Sequence, residues 1–266
     1  MSRPGSPTAG TASGQEASTG HGVVLAIDPH RPVDYLVPWA AAYAAETGTS
    51  VHALLVARND AEHAALTAAS ARIARQLVGT GIEHEIETRY GIPGDVVREV
   101  GIGADLIVLA DASEGAGRSI LGVVGQTVIS NPPCPVVVVH PGDEVPSSVP
   151  DRPIVVGVDS AGTDASVAAL SWAVDYATKS DNPVAPLTVA RDHEPSSPGL
   201  DVPVVDGTPG SELAARSEGA AALVIGTHHD QHPRQPFEVG LGLWCASHAK
   251  CPTVIVPASW QPDAGG

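Results

Sequence analysis

Short runs of valine, isoleucine and leucine alternate with alanine-rich stretches along the chain. Val136–Val139 and the segment Ile154–Val158 carry no polar alternation, so both faces of each are expected to be buried. That is the pattern of parallel strands covered by helices, hence an α/β sheet. Strands are predicted near 22–27, 51–56, 83–89, 105–110 and 135–140, with helices near 34–47, 60–79, 94–102 and 122–131. Further on, strands are predicted near 153–158, 184–190, 202–206, 221–226 and 252–256, with helices near 164–179, 210–218 and 240–248.

The same order of parts is written twice. VVLAID ending at Asp28, GIPG at 91–94, DLIVLA at 105–110 and CPVVVV at 134–139 are followed by IVVGVD ending at Asp159, GTPG at 207–210, AALVIG at 221–226 and CPTVIV at 251–256. From the G-x-P-G turn to the next apolar strand is 14 residues in both copies, and from there to Cys-Pro 29 and 30. A period of this length marks a duplicated domain rather than a solenoid. Between the strand-end Asp and the G-x-P-G turn lie 63 residues in the first copy and 48 in the second. The deficit falls where the first copy has its helix Ala61–Leu77, and RDHEPSSPGL at 191–200 is expected to replace that helix with a loop. One face of the second sheet should then be less covered. Trp39/Tyr43 and Trp172/Tyr176 repeat at i, i+4 on the first helix of each copy and read as core packing.

These boundaries predict a disordered tail at 1–20, one domain at 21–141, a Pro-rich solvated linker at 142–152, a shortened domain at 153–258 and a tail at 259–266. The net charge of −16 is shared, with 16 acidic and 8 basic residues up to Pro150 and 14 and 6 after it. No basic stripe exists to neutralise phosphates, so nucleic acid is not an expected partner. No stretch reaches the ~18–20 apolar residues of a membrane span. Cys134, Cys245 and Cys251 form neither a disulfide framework nor a C-x-x-C pair, which suits a cytoplasmic protein.

The strand ending in Asp, the G-x-P-G turn, the D-L-I-V strand and the Gly-rich loop leading to Cys-Pro together resemble the universal stress protein family, in tandem form, over about 22–140 and 153–257. The resemblance implies two flavodoxin-like domains (adenine nucleotide alpha hydrolase-like), each a five-stranded parallel sheet with flanking helices. It implies an ATP or AMP site at the carboxyl ends of the strands, as open α/β sheets favour. It also implies an intramolecular pseudo-dimer meeting along Val136–Val139 and Thr253–Val256. In nucleotide-binding members the first strand's Asp meets adenine, and a G-x2-G-x9-G-[ST] segment holds ribose and phosphates. Glycines let backbone N–H groups approach phosphate, and the next helix offers its N-terminus.

Carried over, the candidate residues are Asp28, Gly115, Gly122 and Gly125 in the first copy, and Asp159, Gly226, His229 and Gly240 in the second. Each copy departs from the motif. Ala110 stands where glycine is expected, and Val123 replaces the hydroxyl. Asp111 and Glu114 would oppose phosphate, against Arg118 alone. In the second copy His229 takes a glycine's place, Val239-Gly240 ends the motif, and Pro233 and Pro236 remove N–H donors. Asp28 and Asp159 could equally cap the following turn. The second copy, with Gly226, His228 and Arg234, is expected to be the better relic, with any anion near Gly226 and His229.

His228, His229 and His232 share one loop with His248 nearby, but no Cys or acid except Asp230 adds a helix-fixed ligand spacing, so no metal is expected, and no hydrolase or kinase motif occurs. The resulting reading is a cytoplasmic, non-enzymatic stress-response or regulatory protein with degenerate nucleotide crevices and an unknown protein partner. The alternative is an ATP- or AMP-binding protein with at most slow ATP hydrolysis.

Overall fold

The computed structural model describes residues 22–31, 34–111, 122–190, 202–228 and 236–262, of which 236–239 as backbone only. The expected tail at 1–20 and the expected loop at 191–200 lie outside these residues.

The first half runs β1 (Val23–Ile27), α1 (Leu36–Thr47), β2 (Val51–Ala57), α2 (His63–Thr80), β3 (His84–Tyr90), α3 (Pro93–Val100), β4 (Leu106–Ala110), α4 (Val123–Ser130) and β5 (Val136–Val139). The second runs β6 (Ile154–Gly157), α5 (Asp164–Ser180), β7 (Val184–Ala190), β8 (Val204–Asp206), α6 (Pro209–Arg216), β9 (Ala222–Thr227), α7 (Pro236–His248) and β10 (Thr253–Pro257). Proline opens α3 and α6, where its missing N–H costs nothing. Gly48 and Gly81 end α1 and α2 in the left-handed conformation that glycine adopts without strain.

All ten strands form one sheet in the order β3-β2-β1-β4-β5-β10-β9-β6-β7-β8. Within each half the strands are parallel, and the order reverses between β1 and β4, or β6 and β9. This is the doubly wound α/β class expected from the pattern. Helices α1, α2 and α5 cover one face, and α3, α4, α6 and α7 the other.

The halves join through an antiparallel pair, with Val136, Val137 and Val138 opposite Ile255, Val254 and Thr253. Val137 and Val254 occupy the same place in each copy, three residues past Cys134 and Cys251, so a pseudo-twofold axis passes between them. The Trp/Tyr pairs also meet across this axis. Trp39–Tyr43, Tyr43–Tyr176 and Tyr176–Trp172 have ring centroids 5.7, 5.1 and 5.3 Å apart, a four-ring stack.

Three features differ from the sequence reading. The connection near 142–152 is largely exposed but not featureless: it holds a 3-10 turn at Pro146–Ser148, with Val145 and Pro146 buried. Trp39 Nε1 donates to the Glu144 carbonyl at 3.3 Å, Ser147 Oγ donates to Glu46, and Asn182 Nδ2 donates to the Val149 and Arg152 carbonyls. These distant partners satisfy a backbone whose composition alone suggests water. Trp260, assigned to a tail, packs against the core. Helix α7 begins at Pro236, a turn before the predicted start, because proline suits the first helical position. The lesser cover of the second half is visible: all seven residues of β2 are buried, whereas four of seven in β7 are partly exposed.

Candidate functional site

A cavity of about 400 Å³ opens at the carboxyl ends of β1 and β4, where the strand order reverses. Leu54 and Val56 of β2 and Val97 of α3 form its apolar wall. Asp28, one residue past β1, stands at one end, and Gly122–Gly125 at the start of α4 at the other. His30, Arg31, Arg58 and Glu62 ring the mouth.

The Asp28 carboxylate is exposed and accepts from the His30 N–H at 2.9 Å. No serine or threonine occurs between Asp28 and Thr47 to occupy it from the following turn. Glu62 ties the mouth together: its Oε2 accepts from the Arg58 N–H at 2.9 Å and lies 3.5 Å from His30 Nε2. The Arg58 N–H and the neighbouring His30 hold the Glu62 carboxyl below the usual carboxylate range.

Helix α4 starts without a side-chain cap. Gly122 is its extended N-cap residue, and the first intrahelical bond runs from Gln126 N–H to the Gly122 carbonyl at 3.0 Å. The N–H groups of Val123, Val124 and Gly125 therefore have no partner within the helix, and all three residues line the cavity. Such a helix start suits an anion. Val123 projects a 75% exposed apolar side chain where the motif would place a hydroxyl.

The second half has the same arrangement around a smaller space. Its cavity is about 130 Å³. The Asp159 carboxylate accepts from the Ala161 N–H (2.9 Å), the Thr163 N–H (3.2 Å), Ser166 Oγ (2.6 Å) and Thr163 Oγ1. Burial raises its pKa, but the bonds from Ser166, Thr163 and Ala161 outweigh that and hold it below the ordinary value. Thr163 also caps α5. At Gly226, a Cβ would stand 2.0 Å from the Ala165 carbonyl oxygen. The glycine there admits the start of α5.

Among the sequence-derived candidates, Asp28, Gly122 and Gly125 come together in the larger cavity, and Asp159 and Gly226 in the smaller. Gly240 lies inside α7, exposed, and outside the lining of either cavity. Gly115, His229, Glu114, Arg118 and Arg234 lie outside the described residues. Asp111 does not line the larger cavity: its buried carboxylate stands 4.0 Å from His140 Nε2. The two strand-end aspartates thus differ in geometry: the Asp28 carboxylate is exposed, while that of Asp159 is engaged by its own turn. Arg58 and Glu62 escaped the sequence reading because they follow β2 and reach the crevice only through the fold. Thr163 and Ser166 were legible as hydroxyls following Asp159, with no counterparts after Asp28. No group of three His, Cys, Asp or Glu side chains able to hold a metal occurs among the described residues. No helix among them is long and apolar enough to cross a membrane.

A doubly wound sheet with a crevice at its switch point places the chain in the flavodoxin-like α/β class. Residues 21–140 match the Universal stress protein family. Universal stress protein Rv2005c of Mycobacterium tuberculosis is 25% identical over 221 residues, covering 75% of this chain and 74% of that protein. Universal stress protein Rv2623 of the same organism is 31% identical over 124 residues, covering 45% and 41%. A universal stress protein from Archaeoglobus fulgidus superposes with a TM-score of 0.72 at 17% identity, over 91% of this chain and 100% of that one. A Pseudomonas aeruginosa protein described as a putative universal stress protein gives 0.66 at 15%, over 90% and 94%. Residues 21–140 thus belong to the universal stress protein family, and the chain as a whole is similar to universal stress proteins.

Proposed function

We propose that this is a stress-response protein that binds one adenine nucleotide per chain, in the crevice of its first half, while the second half serves as a scaffold. Family membership supports the stress-response role. The single observation that carries the nucleotide reading is the contrast between Asp28 and Asp159. Asp28 keeps an exposed carboxylate at a cavity of about 400 Å³, while Asp159 is saturated by its own turn beside one of about 130 Å³. Only the first volume falls in the ~300–1,000 Å³ range of small-molecule sites.

The crevice offers what a nucleotide needs. A carboxylate accepts from an exocyclic amine, apolar side chains flank a flat base, and uncapped N–H groups meet a phosphate. Arg31 and Arg58 add positive charge at the mouth. With Asp111 turned toward His140, one of the two carboxylates expected to repel phosphate is removed from the site.

The role is binding rather than catalysis. Among the described residues the lining presents no serine, cysteine or lysine nucleophile paired with a base. The test is mass-spectrometric analysis of nucleotide retained by the purified protein, with titration calorimetry against AMP and ATP. One site per chain, weakened tenfold or more by Asp28→Ala and unmoved by Asp159→Ala, is the expected result. Two sites, or binding indifferent to Asp28→Ala, overturns the reading, as does ATP turnover lost with Asp28→Ala for the non-catalytic part.

A further inference from the structure

We propose that His140 is a proton-operated tie between the two halves of the chain: as the imidazolium it holds the end of β5 to α7, and on losing its proton it releases one side. Its Nδ1 stands 3.2 Å from Asp143 Oδ2, and its Nε2 3.1 Å from the carbonyl oxygen of Ala246, over a hundred residues away. A carboxylate and a carbonyl can only accept. Both bonds therefore require both ring N–H groups, which only the cation has. A neutral ring keeps one bond and turns a lone pair toward the other acceptor.

The surroundings favour the cation. The His140 side chain is 16% exposed. The nearly buried Asp111 carboxylate, at the end of β4, lies 4.0 Å from Nε2. Asp143 is fixed by accepting from the His140 N–H at 2.8 Å. Burial by itself lowers the ring's pKa, but Asp143, Asp111 and the Ala246 carbonyl together raise it above the ordinary histidine value. Two other groups sense these carboxylates. Tyr35, before α1, is pushed up to about 12 by burial, Asp111 and Asp143, with Arg31 opposing. The Cys251 thiol, ahead of β10, is driven up by burial and Asp143. Both stay neutral around pH 7, so neither replaces the imidazolium when it deprotonates.

The position makes the tie consequential. The seam between the halves has three paired positions in the sheet, and beside it α4 packs on α7 with Ile129 near Gly242. Asp111 follows Ala110, which lines the larger cavity, while Leu241 of α7 lines the smaller. A raised native pKa makes the contribution fully present below the ordinary value of about 6.5, and it is lost as pH rises through the native value. Acid therefore tightens the seam and alkali loosens it.

Two measurements on the full chain decide this: the imidazole resonances of His140 followed by NMR from pH 5 to 9, and hydrogen-exchange protection of the Cys245–His248 amides over the same range. The ring should titrate above 6.5, and the opening constant of that segment should rise about tenfold for each pH unit of the upshift. Asp143→Asn should move the titration downward, and His140→Gln should abolish the pH dependence of protection. A ring that titrates at or below 6.5, or protection whose pH dependence survives His140→Gln, overturns the proposal. If His140→Gln does not fold, the native titration and its response to Asp143→Asn decide alone.

Discussion

Tyr43 and Tyr176 stack across the seam between the halves, ring centroids 5.1 Å apart and planes 22° from parallel. They occupy matching places in the two copies, so a motif repeated for each helix becomes a single contact at the pseudo-twofold axis. Tyr176 also donates its hydroxyl to Glu46 Oε2 at 2.5 Å, and Glu46 accepts Ser147 as well. One helix end, the connection between the halves and the opposite helix thus share one carboxylate.

Removing the Tyr176 hydroxyl should cost about 1.5–3 kcal/mol, the range for hydrogen bonds to charged groups. Removing the ring with Tyr176→Ala should cost about 3–5 kcal/mol. Urea denaturation of both variants checks this. A double-mutant cycle with Tyr43→Ala should show coupling of about 0.5–1.5 kcal/mol, as for stacked aromatic pairs, and independent effects would deny a shared stack.

Gly226→Ala should destabilise by about 1–3 kcal/mol or more, because its Cβ would collide with the Ala165 carbonyl oxygen, a backbone atom that cannot swing aside. Ala110→Gly, at the corresponding strand end of the first half, should cost no more than about 1 kcal/mol. The midpoint of chemical unfolding distinguishes the two. Equal effects would show that α5 does not rest on Gly226.

Asp159→Ala should lower stability by roughly 1–1.5 kcal/mol at neutral pH, the lower part of the range because the carboxylate is partly exposed to water. Its depressed native pKa sets the sign: the contribution is present above the unfolded value of about 3.9 and is lost as pH falls through the native one. Acid unfolding curves for native protein and Asp159→Asn should therefore converge toward low pH. A constant gap down to pH 2 would contradict the assignment.

Val123→Ser should tighten nucleotide binding by about two- to tenfold, the worth of one added neutral hydrogen bond, since it restores a hydroxyl at the uncapped start of α4. The side chain is exposed, so stability should move by no more than about 0.5 kcal/mol. Calorimetric titration with AMP is the measurement. Unchanged affinity would place the phosphate elsewhere.

Strands and helices were legible because they are buried or amphipathic at a local period, and each observed element overlaps a run of suitable residues. The 48-residue spacing after Asp159 likewise announced the thinner cover on β7. The occupation of Asp159 was legible too, in Thr163 and Ser166, whose hydroxyls can reach back over one turn; nothing after Asp28 can do the same. The packing role of Gly226 was not legible, because a small residue serves a packed helix as well as it serves a phosphate, and sequence does not separate the two.

By itself, the sequence determined the duplication, the α/β class, and the strand-end position of both aspartates, since each depends on the order and local periodicity of residues. Only tertiary structure decided the sizes of the two cavities, that Asp111 stands beside His140, and that Val145 and Pro146 of the proline-rich connection are buried. It also decided that Trp39, Tyr43, Tyr176 and Trp172 form one stack. Such relations join groups more than a hundred positions apart, Tyr43 with Tyr176 and Glu46 with Tyr176 among them. Their energies depend on approach distance and exclusion of water, and neither exists until the two halves have closed on each other.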